Sequence, residues 1–180
     1  MKRIVVTGGI ACGKSRFADE LRKLGVETLD ADDIVHELVP DEERRRLAKV
    51  AFTDATVRKA LEARLHPLVE ARFERWFDSS PLALDPSPLK IAIIPLLFEV
   101  HWEKKYDIIC AVICSKEKQI ERMMQRRGLT RQEAEDRLAA QMPVEEKAAK
   151  SQYVIRNEGS IEELERQAAK FVSWLEEMKD

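Results

Sequence analysis

Short apolar runs alternate along the chain with stretches in which apolar residues recur at helical spacing. Five runs have the pattern of buried strands: RIVVT (3–7), VETLD (26–30), KIAIIPLLF (90–98), DIICAVIC (107–114) and QYVIR (152–156). Apolar strands that alternate with helices are typical of a parallel sheet covered on both faces. We therefore predict an α/β fold with a five-stranded parallel sheet flanked by helices.

The first strand leads into a glycine-rich turn and then a helical pattern, VVTGGIACGKSRFADEL (5–21). Residues 8–15 fit the phosphate-loop pattern GxxxxGKS in the strand, loop and helix context that it requires. Backbone N–H groups of such a loop bind phosphate oxygens, Lys14 reaches the β- and γ-phosphates, and the Ser15 hydroxyl is a ligand for Mg²⁺. The residues predicted to bind ATP here are Gly8, Gly9, Ala11, Cys12, Gly13, Lys14, Ser15 and Arg16.

Residues 34–78 carry helical patterns that the sheet does not need. They return to the sheet through the proline-rich connector SSPLALDPSP (79–88). An apolar stripe in this segment consists of Leu61, Leu65, Leu68, Val69, Phe73 and Phe77. We predict an inserted helical lobe over residues 34–88.

Residues 119–150 are rich in arginine. The arginines around a turn at Gly128 are Arg122, Arg126, Arg127, Arg131 and Arg137. Most charge-rich helices are solvated faces, but arginines next to a bound triphosphate also form lids over the transferring phosphate. We favour a lid over 119–150. The rest of a single domain, residues 1–180, is then a core of residues 1–33, 89–118 and 151–180.

Composition limits the partners. The 180 residues include 31 basic and 33 acidic residues, a balance that favours neither nucleic acid nor a membrane surface. No apolar run approaches the roughly 20 residues that cross a bilayer, and no signal region precedes the first strand. We expect a cytoplasmic protein whose three cysteines, Cys12, Cys110 and Cys114, stay reduced. The sequence makes no prediction about oligomeric state.

The loop alone leaves the reaction open. The NKxD and DxxG motifs of regulatory GTPases do not occur, and the strand IAIIPLLFE lacks the aspartate that is usual in motor-type ATPases. Small-molecule kinases remain. Asp30, Asp32 and Asp33 follow the second strand, where one of them can cap a helix. Because ligands lie at the carboxyl ends of parallel strands, we expect residues 30–33 and 95–99 beside the phosphate loop.

In the order and spacing of its motifs the sequence resembles the dephospho-coenzyme A kinase family almost end to end. The matching segments are TGGIACGKS, LDADDIVHELV, LHPLVEARF, IPLLFE, RMMQRRGLTRQEAEDRLAAQM and VIRNEGSIEEL. The resemblance implies a P-loop kinase fold with a coenzyme-binding helical lobe and a lid. It also implies transfer of the ATP γ-phosphate to the ribose 3′-hydroxyl of dephospho-CoA, the last step of coenzyme A synthesis.

The same resemblance implies roles for individual residues. Asp32 resembles the base for the acceptor hydroxyl, and Arg137 resembles a lid arginine on the phosphates, so both join Lys14 as expected catalytic residues. Asn157 begins a segment expected against the adenine of ATP. The residues expected on the substrate side are Asp30, Arg64, His66 and Glu99.

The chain departs from the family's pattern in the loop and in the lobe. Ala11 and Cys12 replace the usual Gly-Ser pair, and Arg16 replaces the usual threonine. Between HELVP and DEERRRLAKVAF most of a helical segment is missing, which leaves Arg64 and the arginines at 44–46 as candidates for the coenzyme's pyrophosphate. His66 matches the HPLV element, which looks more structural than catalytic.

Two other functions fit the same residues. One is a related P-loop kinase that acts on another small alcohol or a nucleoside monophosphate. The other is a nucleotide-binding regulator without turnover, against which the intact Lys14, Ser15 and Asp32 argue. A panel of acceptors separates the kinases from each other and from the regulator.

Overall fold

The computed structural model describes residues 2–40, 42, 55–79 and 89–178. Its strands are β1 (Ile4–Gly8), β2 (Glu27–Asp30), β3 (Lys90–Ile93), β4 (Ile108–Ile113) and β5 (Tyr153–Arg156). They form one five-stranded sheet in the order β2-β3-β1-β4-β5. The predicted parallel sheet flanked by helices is confirmed.

The helices follow the strands in alternation. They are α1 (Lys14–Lys23), α2 (Ala31–Leu38), α3 (Ala55–Asp78), α4 (Lys116–Arg127), α5 (Arg131–Ala139), α6 (Val144–Ala149) and α7 (Ile161–Glu177), with a 3₁₀ turn at Glu103–Lys105. Within the described part of the chain, every helix is too short or too polar to span a lipid bilayer.

Strands β1 and β4 form the centre of the sheet. Both are buried along their whole length, as β-branched residues packed on two faces require. In their parallel register Val6 is opposite Cys110 and Gly8 is opposite Val112. Helices α1 and α7 cover one face, where the Phe17 and Phe171 ring centroids lie 6.0 Å apart. This core fixes the position at which β1 ends and the phosphate loop begins.

The third strand is shorter than predicted. It ends at Ile93, and residues 95–100 form turns, so the prediction of a strand up to residue 98 is wrong. Pro95 has no N–H for a sheet ladder. Leu97 and Phe98 are nevertheless buried, because the turns direct them into the core.

The chain divides into two compact units, Met1–Thr28 with Pro88–Asp180, and Leu29–Ser87. In the second unit α2 contacts α3, and Val69 and Phe73 of the predicted stripe are buried. Leu68 is 47% exposed, so its place in the stripe was wrong: it lies one residue, about 100° around the helix, from Val69. The arginines at 44–46 lie outside the described residues. The predicted division into core, lobe and lid stays a prediction.

Candidate active site

The phosphate loop is shaped by its two motif glycines. Gly8 and Gly13 have φ angles of 146° and 93°, which favour glycine. A Cβ atom on Gly8 would lie 2.0 Å from the Val112 carbonyl oxygen, and one on Gly13 would lie 2.2 Å from Asn157 Nδ2. The motif's glycines are therefore required by the close approach of neighbouring segments as well as by φ.

Lys14 and Ser15 begin α1 directly after the loop. The Lys14 ammonium donates to the carbonyl oxygens of Gly8 at 3.1 Å and Gly9 at 2.7 Å, so it lies against the loop backbone. Ser15 is exposed in the first turn of α1, where the helix N–H groups have no helical acceptors. The loop, the ammonium and the positive end of the helix dipole together form a site suited to phosphate.

The two substituted loop positions fit this conformation. Ala11 adopts a left-handed φ of 58°, a conformation that favours glycine. Cys12 is buried in the core, with its sulfur 3.4 Å from the sulfur of Cys114. The thiol of Cys114 donates to Cys12, which lowers the pKa of Cys12 and raises that of Cys114. Burial alone raises the pKa of Cys110.

Asn157 and Arg122 hold the loop from the side of β4 and β5. The side-chain amide of Asn157 donates to the Cys12 carbonyl at 2.9 Å. The Arg122 guanidinium donates to the Ala11 carbonyl at 3.2 Å and to the Asn157 carbonyl at 3.0 Å. Arg122 was predicted only as a lid arginine. Its contact with the loop joins it to Ala11, 111 positions away, so no local sequence pattern could reveal this contact.

A cavity of about 380 Å³ opens beside these residues. Its lining includes Gly13, Arg16, Arg122, Arg126, Asn157 and Ile161. Three of these side chains are cationic arginines, which suits an anionic ligand. Arg16, which is itself partly exposed, also forms an ion pair at 3.1 Å with the buried carboxylate of Glu20 on α1.

The other arginines of the predicted lid have different surroundings. Arg131 is exposed and pairs with Glu117 at 2.9 Å and Glu135 at 3.1 Å, as a solvated face would. Arg137 is half-buried on α5. The backbone N–H and hydroxyl of Thr130 lower the pKa of Glu133, and Arg137 lowers it further. A phosphate contact of Arg137 stays a prediction.

Glu99 lies in the turns after β3, where other residues of the chain contact its carboxylate. Its Oε1 atom lies 2.8 Å from Nζ of the buried Lys147 and accepts a hydrogen bond from the Met142 N–H at 3.0 Å. Its Oε2 atom is buried and has no hydrogen-bond partner among the described residues. The sequence did not predict Lys147 as a site residue, because VEEKAAK has the composition of a solvated helix. Substrate binding by Glu99 stays a prediction.

The remaining predicted residues belong to the unit Leu29–Ser87. Asp30 is the N-cap of α2, where its carboxylate accepts the Asp32 N–H at 2.9 Å. Asp32 and Asp33 are exposed in the first turn. Arg64 is exposed and His66 half-buried on α3. The expected proximity of residues 30–33 to the phosphate loop stays a prediction, because the loop belongs to the other unit.

Solved structures share this architecture. TT1252 from Thermus thermophilus is 34% identical with a TM-score of 0.77, over 97% of this chain and 99% of that one. Dephospho-CoA kinase from Campylobacter jejuni has a TM-score of 0.70 at 24% identity, over 99% of this chain and 98% of that one. Shikimate kinase from Acinetobacter baumannii has a TM-score of 0.62 at 15% identity, over 99% of this chain and 95% of that one. The last two show the fold alone. Together with the phosphate loop, this architecture defines the P-loop kinase fold.

Sequence comparison narrows the class to one family. The family model for dephospho-CoA kinase matches residues 3–44 and 41–163. A dephospho-CoA kinase from Geobacter sulfurreducens is 38% identical over 92% of this chain and 94% of its own length. A dephospho-CoA kinase from Thermosynechococcus vestitus is 37% identical over 96% of this chain and 94% of its own length. This chain belongs to the dephospho-CoA kinase family and is an ATP-dependent kinase.

Proposed function

We propose that this chain transfers the γ-phosphoryl group of ATP to the ribose 3′-hydroxyl of dephospho-CoA, with coenzyme A and ADP as products. The observation that carries the proposal is the phosphate loop, in which Lys14 lies against the backbone at the start of α1. Membership of the family supports the identity of the acceptor.

On the donor side, the loop N–H groups and Lys14 bind the β- and γ-phosphates. The cavity beside Gly13 and Asn157 is of the size that small-molecule sites have, and it receives the nucleoside end of ATP. Asn157 and Arg122, which both bond to the loop backbone, keep the loop in the phosphate-binding conformation.

A magnesium ion fits this donor site as a companion of ATP. In the described ranges no group of three or more His, Cys, Asp and Glu side chains can hold a metal. Mg²⁺ commonly keeps several waters and takes one or two protein oxygens besides the phosphates, and the exposed Ser15 hydroxyl supplies such an oxygen. When bound, the ion neutralises charge on the phosphates during transfer.

On the acceptor side, Asp32 orients the ribose 3′-hydroxyl and accepts its proton. The cap role of Asp30 supports this assignment. The Asp30 carboxylate serves as the N-cap of α2, whereas the exposed Asp32 carboxylate, two residues further along the chain, has no part in that cap. Arg64 and His66 are proposed to contact the coenzyme. Arg137 is proposed to contact the transferring phosphate from the lid over residues 119–150.

A panel of acceptors tests the proposal. We expect ATP-dependent phosphorylation of dephospho-CoA with a large preference over adenosine, AMP and shikimate. Phosphorylation of one of those acceptors with dephospho-CoA untouched would identify a different small-molecule kinase. ATP hydrolysis that no acceptor changes would identify a nucleotide-binding regulator.

A further inference from the structure

Lys147 on α6 has no solvent-exposed area. Its ammonium lies 2.8 Å from Glu99 Oε1 and donates to the Pro95 carbonyl oxygen at 2.9 Å. A buried charge is tolerated only when it is paired and hydrogen-bonded, and its partners are then held in narrow geometry. The pair therefore fixes α6 to the turns that follow β3.

The same carboxylate oxygen also holds the segment that precedes α6. Glu99 Oε1 accepts the Met142 N–H at 3.0 Å, so one atom takes donors from the helix and from the residues before it. Hydrogen bonds to an ionised acceptor are stronger than those between neutral groups. The entry into α6 is thus set by Glu99.

This segment contacts the apex of the phosphate loop. Gln141, next to Met142, accepts the Ile10 N–H through its Oε1 at 3.2 Å. From the other side, Gln119 donates to the Ile10 carbonyl at 2.7 Å. The first residue of α6, Val144, covers Gly9 so closely that a Cβ atom there would lie 2.3 Å from its Cγ1.

The Lys147 ammonium is also linked to the base of the loop, through the carbonyl of Pro95. The Pro95 carbonyl, which accepts from Lys147, also accepts the Thr7 hydroxyl at 3.2 Å. Thr7 lies on β1 immediately before the loop. The buried pair is therefore linked to the loop at its start through Thr7 and at its apex through Gln141.

From these contacts we infer that Lys147 and Glu99 are a positioning pair for the phosphate loop. They hold the backbone of residues 9 and 10 in the orientation that phosphoryl transfer requires, without contacting the reacting atoms. Small misplacements of groups that orient a substrate lower turnover more than they lower binding of a second substrate. The inference deepens the proposed function, on which its turnover readout rests.

The test uses Lys147→Met, Glu99→Met and the double variant, with Lys170→Met on the exposed face of α7 as the matched control. Each single substitution leaves a buried charge or acceptor unpaired and is expected to lower the melting temperature. Replacement of both partners by apolar residues is often neutral for stability. The double variant is therefore expected to recover the melting temperature while the Met142 N–H still lacks its acceptor.

We expect kcat of the folded double variant to fall about tenfold or more, with KM for dephospho-CoA within about twofold of wild type. Hydrogen exchange of peptides spanning residues 5–16 is expected to accelerate. Lys170→Met is expected to match wild type in all three readouts. Should the double variant not fold, Glu99→Gln replaces it. This variant keeps an acceptor for the Met142 N–H but removes the charge that pairs with Lys147, so we expect changes in the same direction but smaller, and wild-type values would overturn the inference.

Wild-type kcat, KM and loop exchange in the double variant would overturn the inference. A raised KM for dephospho-CoA in Glu99→Met, with Lys147→Met kinetically silent, would also overturn it and assign Glu99 to substrate binding. Failure of the proposed function is a separate result, because the wild-type protein would then leave dephospho-CoA unmodified. Hydrogen exchange of the loop and affinity for Mg-ATP would still test whether Lys147 and Glu99 position the phosphate loop.

Discussion

At the residue scale, Asp30 and Asp32 differ in what their carboxylates contact. Asp30 accepts the Asp32 N–H and caps α2, so its carboxylate is committed to the helix. The Asp32 carboxylate is exposed in the first turn. A hydroxyl acceptor needs a group that orients it and takes its proton, and we assign that role to Asp32.

Asp32→Asn keeps the shape of the side chain and removes its charge and basicity. Positioned general bases contribute roughly 10²- to 10⁴-fold, so we expect turnover to fall about 10²-fold or more. The melting temperature and ATP affinity should stay close to wild type. Steady-state kinetics with dephospho-CoA, together with thermal unfolding and ATP titration, check this expectation.

Asp33→Asn, an exposed neighbour in the same turn, is the matched control and should keep most of its turnover. Asp30→Asn should also be mild, because asparagine is a good N-cap. If Asp32→Asn retained most of its turnover, or lost it only by unfolding, the base would have to be sought at Asp30, Asp33 or Glu99.

How well a residue's role can be predicted from sequence depends on how local its contacts are. Lys14 was predicted from the local motif GxxxxGKS, and the carbonyls that its ammonium contacts are only five and six residues away. The contact of Arg122 with the loop and the buried pairing of Lys147 were not predicted, because their partners are distant in sequence and a lysine in VEEKAAK has the pattern of a solvated residue. Only tertiary packing shows that Lys147 has no exposed area.

At the element scale, α5 begins with a capping box. The Thr130 N–H and hydroxyl each donate to Glu133 Oε2 at 2.8 Å, and the Glu133 N–H donates to the Thr130 hydroxyl at 3.3 Å. These donors lower the pKa of Glu133. A carboxyl with a lowered folded-state pKa stabilises the fold above its ordinary pKa, and this stabilisation is lost as pH falls through the folded-state value.

Thr130→Ala is therefore expected to lower the free energy of unfolding by about 1 kcal/mol at neutral pH. In wild type, the capping box should contribute fully to the free energy of unfolding above the ordinary glutamate pKa of about 4.3. Its contribution should decline as the pH falls below that value. Denaturant unfolding at a series of pH values checks both points. Glu133→Gln is the companion variant; an acid dependence as steep as that of wild type in this variant would contradict the assignment.

Most of the elements could be predicted from the apolar pattern, and the errors have physical causes. The runs that became β1 and β4 are buried along their length, so pattern and structure agree. The run at 90–98 stays apolar beyond the strand because Leu97 and Phe98 are buried in turns, and burial alone does not distinguish a turn from a strand. Pro95 was the signal that the strand ends early.

At the scale of the whole molecule, the sequence predicts that the chain lacks most of a helical segment that the family usually carries in the lobe. The family match divides at residues 41–44, close to that position. Binding energy from remote parts of a substrate often contributes to turnover as well as affinity. We hypothesise that the missing segment covers the pantetheine arm in other members of the family.

On this hypothesis the chain discriminates poorly between dephospho-CoA and acceptors that keep the ADP-like end but lack the thiol arm. We expect its ratio of kcat/KM values for the two acceptors to be smaller than that of the Geobacter sulfurreducens relative measured side by side. Equal ratios in the two enzymes would show that the segment is dispensable for recognition of the arm.

The identity of the product made from ATP, Mg²⁺ and dephospho-CoA tests the proposed function most directly. We expect coenzyme A and ADP in equal amounts by mass spectrometry and chromatography, with the new phosphate on the ribose 3′ oxygen by NMR. Lys14→Ala should form far less product, because it removes the loop ammonium from the β- and γ-phosphates. ADP formed without coenzyme A, or a phosphate attached elsewhere on the acceptor, would contradict the proposed function.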